Sequence, residues 1–256
     1  MSQLKHCVPG MLRQLEYSDA ERGQLMKLML LLAELPPPPD ASVGFPRYEE
    51  YRRRFLSATQ GDDADVLEET FLTLYAHLHM HEANYTAEER RRMDEAGGYW
   101  AHAGGLSPIL KAKPWIATDT VSADLGAGNG LQGLLLQYLY PHRKTIQIEI
   151  SSDMVELGKK LQAWFGVPRE RVEWRVGDVC DQTFDGIDFI YLYRPVRPST
   201  ERGQILYRRL ADTLAESSSQ VVVFSIADCL RDFLSPEFET FYTDGHLTCF
   251  RGPAAV

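Results

Sequence analysis

The stretch best suited to chemistry is Ala123-Asp124-Leu125-Gly126-Ala127-Gly128-Asn129-Gly130. Glycine at alternate positions removes side chains and lets a ligand approach the backbone. The apolar run Val121–Leu125 leads into it and the helical segment Leu131–Tyr140 follows, so the loop closes a strand and opens a helix. The free N–H groups of a helix start then face the ligand with positive potential. Ligands of open parallel sheets bind beyond the carboxyl ends of the strands. Acids stand where further strands end: Glu149 in Ile148-Glu149-Ile150-Ser151, and Asp178 in Arg175-Val176-Gly177-Asp178-Val179. A fourth run ends in Tyr191-Leu192-Tyr193-Arg194-Pro195.

The elements that must position these residues alternate from Thr120 onward. β-rich runs at Val121–Leu125, Thr145–Ile150, Val172–Val176, Ile187–Tyr193 and Val221–Ile226 are separated by helical segments at Leu131–Tyr140, Ser152–Phe165 and Arg202–Leu214. Such alternation predicts a parallel sheet with helices on both faces. Phe238–Tyr242 and His246–Phe250 flank Thr243-Asp244-Gly245, a hairpin signal that predicts a closing antiparallel pair. The first hundred or so residues read as helices. Ser18 with Glu21 and Thr86 with Glu89 are capping boxes, and Pro36 to Pro39 cannot continue a helix. A short helix is expected over Arg47 to Ala58. Asp62 or Asp63 opens the next, and the helix after Thr86 stops near Gly97-Gly98. The chain thus divides into a mostly helical N-terminal cap or substrate region, 1–117, and an α/β domain, 118–256.

Asp124-Leu125-Gly126-Ala127-Gly128-Asn129-Gly130 resembles motif I of class I S-adenosylmethionine (SAM)-dependent methyltransferases. Ile148 to Ser151 resembles their post-I motif, and Asp178 their motif II acid. The resemblance covers about Thr118 to Pro253. It implies a Rossmann-like, seven-stranded, mostly parallel sheet whose last strand is antiparallel, with SAM as cofactor. It further implies that Gly126, Ala127 and Gly128 line the methionine part, with Asp124 ahead of them. Glu149 would hold the ribose hydroxyls and Ile150 the adenine face. Asp178 and Val179 would read the adenine edge, and Tyr191 joins the cofactor set from the fourth strand. A nicotinamide fingerprint would need glycine at 131, where Leu131 stands. Taken singly, Glu149 or Asp178 also reads as a helix-capping acid.

SAM carries the activated methyl, so the protein must align a nucleophile and exclude water. The fourth strand end lacks the Asn/Asp-Pro-Pro-Tyr/Phe motif of many amine methyltransferases. The acidic cluster of metal-dependent catechol-type enzymes is not apparent, and no Pro-Cys dipeptide points to cytosine C5. Tyr85 to Gly105 immediately precedes the first strand and carries paired glycines around Tyr99, Trp100 and His102. It is the expected lid, with Tyr99 and His102 the candidate catalytic residues and His102 the one histidine expected near the reaction centre. An imidazole, with an ordinary pKa of about 6.5, accepts a proton near neutrality. The alternative is that Tyr99 and Trp100 only pack the helical part onto the sheet.

Other features read as structure. His77 and His81 stand one helical turn apart with His79 between them, but no third ligand follows in a recognisable motif, so no metal is expected. Arg52 to Arg54 and Arg90 to Arg92 are flanked by glutamates, as on solvated helix faces. The formal net charge of −9 argues against nucleic acid, whose phosphates demand excess Lys and Arg. Cys7, Cys180, Cys229 and Cys249 are scattered, as in reduced cytoplasmic proteins. No apolar run suits a leader or a membrane span. The expected partner is a small-molecule acceptor, with a homodimer contact open to the N-terminal helices. A protein side chain as acceptor, or a non-catalytic SAM-binding subunit, remain the alternatives.

Overall fold

A computed structural model describes residues 4–79, 86–97, 105–216, 220–227 and 229–253. The chain forms two compact units, Met1–Ala83 and Asn84–Val256. The first contains α1 (Leu4–Leu12), α2 (Asp19–Glu34), the short α3 (Ala41–Gly44), α4 (Tyr48–Ala58) and α5 (Ala64–His79). The Ser18 hydroxyl accepts the Glu21 amide while the Glu21 carboxylate accepts the Ser18 amide, so the expected capping box starts α2. Asp63 accepts the Asp65 and Val66 amides and starts α5. Leu25, Leu28, Met29, Phe55, Phe71 and Leu74 recur at helical spacing and are buried together.

His77 has a local task in this unit. Its Nε2 accepts the Arg47 amide at 3.2 Å, and its ring meets Tyr51 edge-on at 5.1 Å, fixing the entry into α4. His81 lies outside the described residues. No group of three His, Cys, Asp or Glu side chains among the described residues is arranged to hold a metal ion. Among the same residues, no helix is long and apolar enough to cross a membrane.

The second unit opens with α6 (Ala87–Ala96) and α7 (Ser107–Lys111). It continues through β1 (Val121–Leu125), α8 (Leu131–Leu139), β2 (Lys144–Glu149), α9 (Ser152–Trp164) and β3 (Val172–Val176). After these come β4 (Phe189–Tyr193), α10 (Glu201–Glu216), β5 (Val222–Ile226), β6 (Glu239–Thr243) and β7 (Leu247–Arg251). Composition divides the chain at 117/118, whereas compactness divides it at 83/84, because α6 and α7 fold with the sheet.

The sheet has seven strands in the order β3-β2-β1-β4-β5-β7-β6. The first five elements of that order are parallel, and β7 lies antiparallel between β5 and β6. This is the Rossmann-like architecture that the resemblance implied. The reversal is built at the hairpin tip, where Asp244 accepts the His246 and Leu247 amides and Gly245 takes φ 86°. The chain order reverses on either side of β1, which is the switch point where such sheets bind ligands.

Strand alternation gives the two faces different chemistry. Ala123, Leu125, Ile190, Leu192, Val223 and Phe250 form an apolar face packed against Leu206, Tyr207, Leu210 and Leu214 of α10. The opposite face carries Ser122, Asp124, Thr145, Gln147 and Glu149. The helices covering it come very close. A Cβ on Gly133 of α8 would stand 2.2 Å from Gln147 Nε2, and one on Gly158 of α9 would stand 2.2 Å from the Trp174 ring.

Candidate functional site

The loop after β1 is held open by its glycines. Gly126, Gly128 and Gly130 take φ 79°, 58° and 71°, in the left-handed region that side chains resist. Gly126 is also crowded, since a Cβ there would lie 2.7 Å from the Pro195 side chain. Its amide and that of Ala127 donate to the Ile148 carbonyl, which fastens the loop to the end of β2. Gly130 then caps α8.

Glu149 sits beside this loop, 4% exposed. Its Oε2 accepts the Gly128 amide at 2.8 Å and its Oε1 the Ser151 amide at 3.0 Å. Burial raises its pKa, against the pull of those amides. Each carboxylate oxygen has a second lone pair, so the group still has capacity for ligand hydroxyls. Asp124 is buried next to it. One oxygen is steadied by the Gly133 amide, while Oδ2 is buried without a hydrogen-bond partner. Burial, reinforced by the Glu149 charge, pushes its carboxyl up to about 7. Two acids in one buried site make a demand for a cation or for strong donors.

Ile150 is half-buried against Met154, and Met93 of α6 completes that apolar cluster. Asp178 accepts the Cys180 amide at 2.8 Å, and its other oxygen is ion-paired with Arg202 of α10. Val179 is buried beside it. Tyr191 is buried directly across the ladder from Asp124, and Tyr193 occupies the strand end itself.

Helix α6 bridges the carboxyl ends of β2 and β4. At its start Thr86 and Glu89 form the expected capping box, and Glu89 also accepts the Ser151 hydroxyl at the start of α9. At its end the Gly97 carbonyl accepts the Arg197 amide at 2.8 Å, and a Cβ on Gly97 would lie 2.7 Å from Thr200. Tyr99, Trp100 and His102 fall outside the described residues.

Sequence reasoning missed a cluster on the other side of the loop. Arg194 and Ala227, at the ends of β4 and β5, take φ 35° and 57° although neither is glycine. The Arg194 guanidinium donates to the Ala227 carbonyl, and the Ala227 amide donates to the His246 carbonyl at 2.7 Å. The Tyr193 and His246 rings meet at 89° with centroids 6.0 Å apart. His246 thus stands exposed at the carboxyl end of the sheet, a histidine that the expectation for His102 did not include. Residue spacing gave no hint of it, because the β5–β7 pairing alone brings His246 to this end of the sheet.

No protein-family model matches the chain, and no curated protein matches it. Among solved structures it is similar to an RNA methyltransferase from Salinibacter ruber in complex with S-adenosyl-L-homocysteine. That match has 26% identity and a TM-score of 0.44, over 59% of this chain and 92% of the other. It is also similar to TrmN from Thermus thermophilus, at 14% identity and a TM-score of 0.42 over 57% of this chain. A third is the Pyrococcus abyssi tRNA (uracil-54, C5)-methyltransferase in complex with S-adenosyl-L-homocysteine, at 15% identity and a TM-score of 0.40 over 57% of this chain. The chain spans 46% and 37% of the length of the latter two.

Proposed function

We propose that the chain is a SAM-dependent methyltransferase acting on a small-molecule acceptor. The observation that carries this reading is the buried acid pair at the glycine loop. Glu149 holds the Gly128 amide, and Asp124 keeps a buried oxygen without a partner. A buried acceptor atom is costly until a donor reaches it. SAM offers an ammonium group and two ribose hydroxyls, so the residues present fit it. When bound, it supplies a methyl group on a positively charged sulfur.

In this reading Gly126, Ala127 and Gly128 line the methionine part, with Asp124 beneath it and Tyr191 beside Asp124. Glu149 takes the ribose hydroxyls. Ile150 supports the adenine face, backed by Met154 and Met93. Asp178, held by Arg202, and Val179 stand at the adenine edge. Helix α6 shields the cofactor from water, which supports a role for the following Tyr99 and His102 on the acceptor side. The net charge of −9 favours a small acceptor over one bearing many phosphates.

Calorimetry with SAM and S-adenosylhomocysteine (SAH) tests the cofactor. One site for both is expected, and binding of NADH with neither of them would overturn the assignment. Transfer of labelled methyl from SAM tests the acceptor. Label is expected in the small-molecule fraction of an extract. Label in total RNA, the substrate class named for the similar solved structures, or in protein would replace the small-molecule reading.

A further inference from the structure

We propose that the acceptor binds over the carboxyl ends of β4 and β5, in the corner between the Tyr193 and His246 rings, where His246 takes its proton. This rests on the methyl-transfer reading of the glycine loop. The starting observation is backbone strain. A non-glycine residue in the left-handed region is strained and persists only where its surroundings force it. Arg194 and Ala227 are two such residues at neighbouring strand ends, and the Arg194 guanidinium ties one to the other.

The strain shapes a surface that leads away from the loop. Pro195 follows Arg194 and lies against Gly126, so the strained turn borders the part of the loop assigned to the methionine end of SAM. Tyr193 precedes Arg194, half-buried at the strand end. The Ala227 amide then holds the His246 carbonyl, which sets the hairpin tip beside the end of β5, from where the His246 ring reaches Tyr193 of β4. The chain of contacts runs Gly126, Pro195, Arg194, Ala227, His246, and each link is on this end of the sheet. The Tyr193 and His246 rings stand at 89°, forming two walls of a corner. A flat acceptor stacks on one ring and presents its edge to the other, the two arrangements aromatic groups favour. His246 is exposed, so its imidazole is reachable from solvent and from the corner.

The chemical class follows from an imidazole at that position. It serves an acceptor whose reacting oxygen still carries a proton, such as a ring hydroxyl. In the transfer, the acceptor's lone pair forms the bond to the methyl carbon. The carbon–sulfur bond breaks with its electron pair left on sulfur, and the acceptor's proton goes to the imidazole. Every atom and charge is then accounted for without a further reagent.

The test needs no acceptor. SAM and SAH differ at the sulfur by one methyl group and one positive charge. Proton NMR of the histidine ring signals is followed as a function of pH in each complex, with His246→Asn used to assign the His246 signal. Other charged or titratable groups near the hairpin tip are Tyr193, Arg194, Asp244 and Tyr242, with Lys111 over the Tyr242 ring at 4.6 Å. They are the same in both complexes, so their influence cancels. A sulfonium in the adjacent corner should lower the His246 midpoint in the SAM complex relative to SAH by about 0.3 pH units. That is the size one charge about 10 Å away produces in water. The buried His142, near the amino end of β2, should show no difference. Equal His246 midpoints in the two complexes, with both ligands bound, would overturn the acceptor corner and leave the cofactor assignment standing. Failure of either ligand to perturb any signal would instead remove the methyl-transfer reading.

Discussion

The two ends of the central sheet treat buried polar groups in opposite ways. Near the amino ends, His142 is fully buried, with both ring nitrogens engaged. Nδ1 donates to the Tyr140 carbonyl at 2.6 Å, and Nε2 meets the Ser122 and Thr145 hydroxyls at 2.8 and 2.9 Å. At the carboxyl ends, Asp124 keeps an unpartnered oxygen beside a second buried acid, and two non-glycine residues sit in strained backbone. A satisfied network specifies a fold, whereas an unsatisfied and strained one is maintained for something the protein meets later. Buried polar residues therefore carry opposite meanings at the two ends, and what separates them is whether partners are already in place.

The largest expected effect is at the satisfied end. His142→Ala should lower stability by about 3 kcal/mol, since it opens a cavity and strands two hydroxyls and a carbonyl. Chemical denaturation measures the loss, and SAH affinity of the folded variant should be unchanged. Weakened binding in that variant would blur the contrast between the ends. Next, Glu149→Ala should weaken SAH binding by about 1.5–3 kcal/mol while the protein stays folded. Calorimetry reads this, and an unchanged affinity would show that Glu149 does not face the ribose.

Asp124→Asn should raise the stability of the ligand-free protein at pH 8 by about 1 kcal/mol, because a buried charge without a full set of partners is removed. SAH binding should fall in the same variant. Finally, the two ends should titrate in opposite directions. The Asp124 carboxyl is raised from 3.8 to about 7, so its favourable contribution is complete below 3.8 and is lost as pH rises through about 7. Burial depresses His142 below 6.5, so its contribution is complete above 6.5 and is lost as pH falls below it. Stability measured from pH 4 to 8 should lose its decline between about pH 4 and 7 in Asp124→Asn, and part of its fall below pH 6.5 in a His142 variant.

Much of the fold was legible because its signals are local. Thr86 with Glu89, Asp63 ahead of α5 and Asp244-Gly245 in the hairpin each act within three or four residues, and each starts or turns an element as expected. Gly126 to Gly130 was legible because only glycine announces a left-handed backbone in sequence. Arg194 and Ala227 adopt that backbone with ordinary side chains, forced by pairing across strands, so nothing in their identity reveals it. The expected β4 began at Ile187, but β4 begins at Phe189. The Asp188 carboxylate instead accepts the Val121 amide at 2.8 Å, joining the amino ends of β1 and β4. The Asp178–Arg202 ion pair and the His142 network likewise join residues far apart in the chain.

The bond from the Arg197 amide to the Gly97 carbonyl has a consequence for the order of folding. It closes a loop of about a hundred residues, and such contacts form after local ones because their entropy cost precedes any reward. The Thr200 side chain that Gly97 abuts is in place only once β4 has joined β1 and the following turn has formed. Helix α6 is therefore expected to dock late, onto a sheet already assembled. Until then the glycine loop can be built but stays open to water, so a half-folded chain has the residues of the site without its cover.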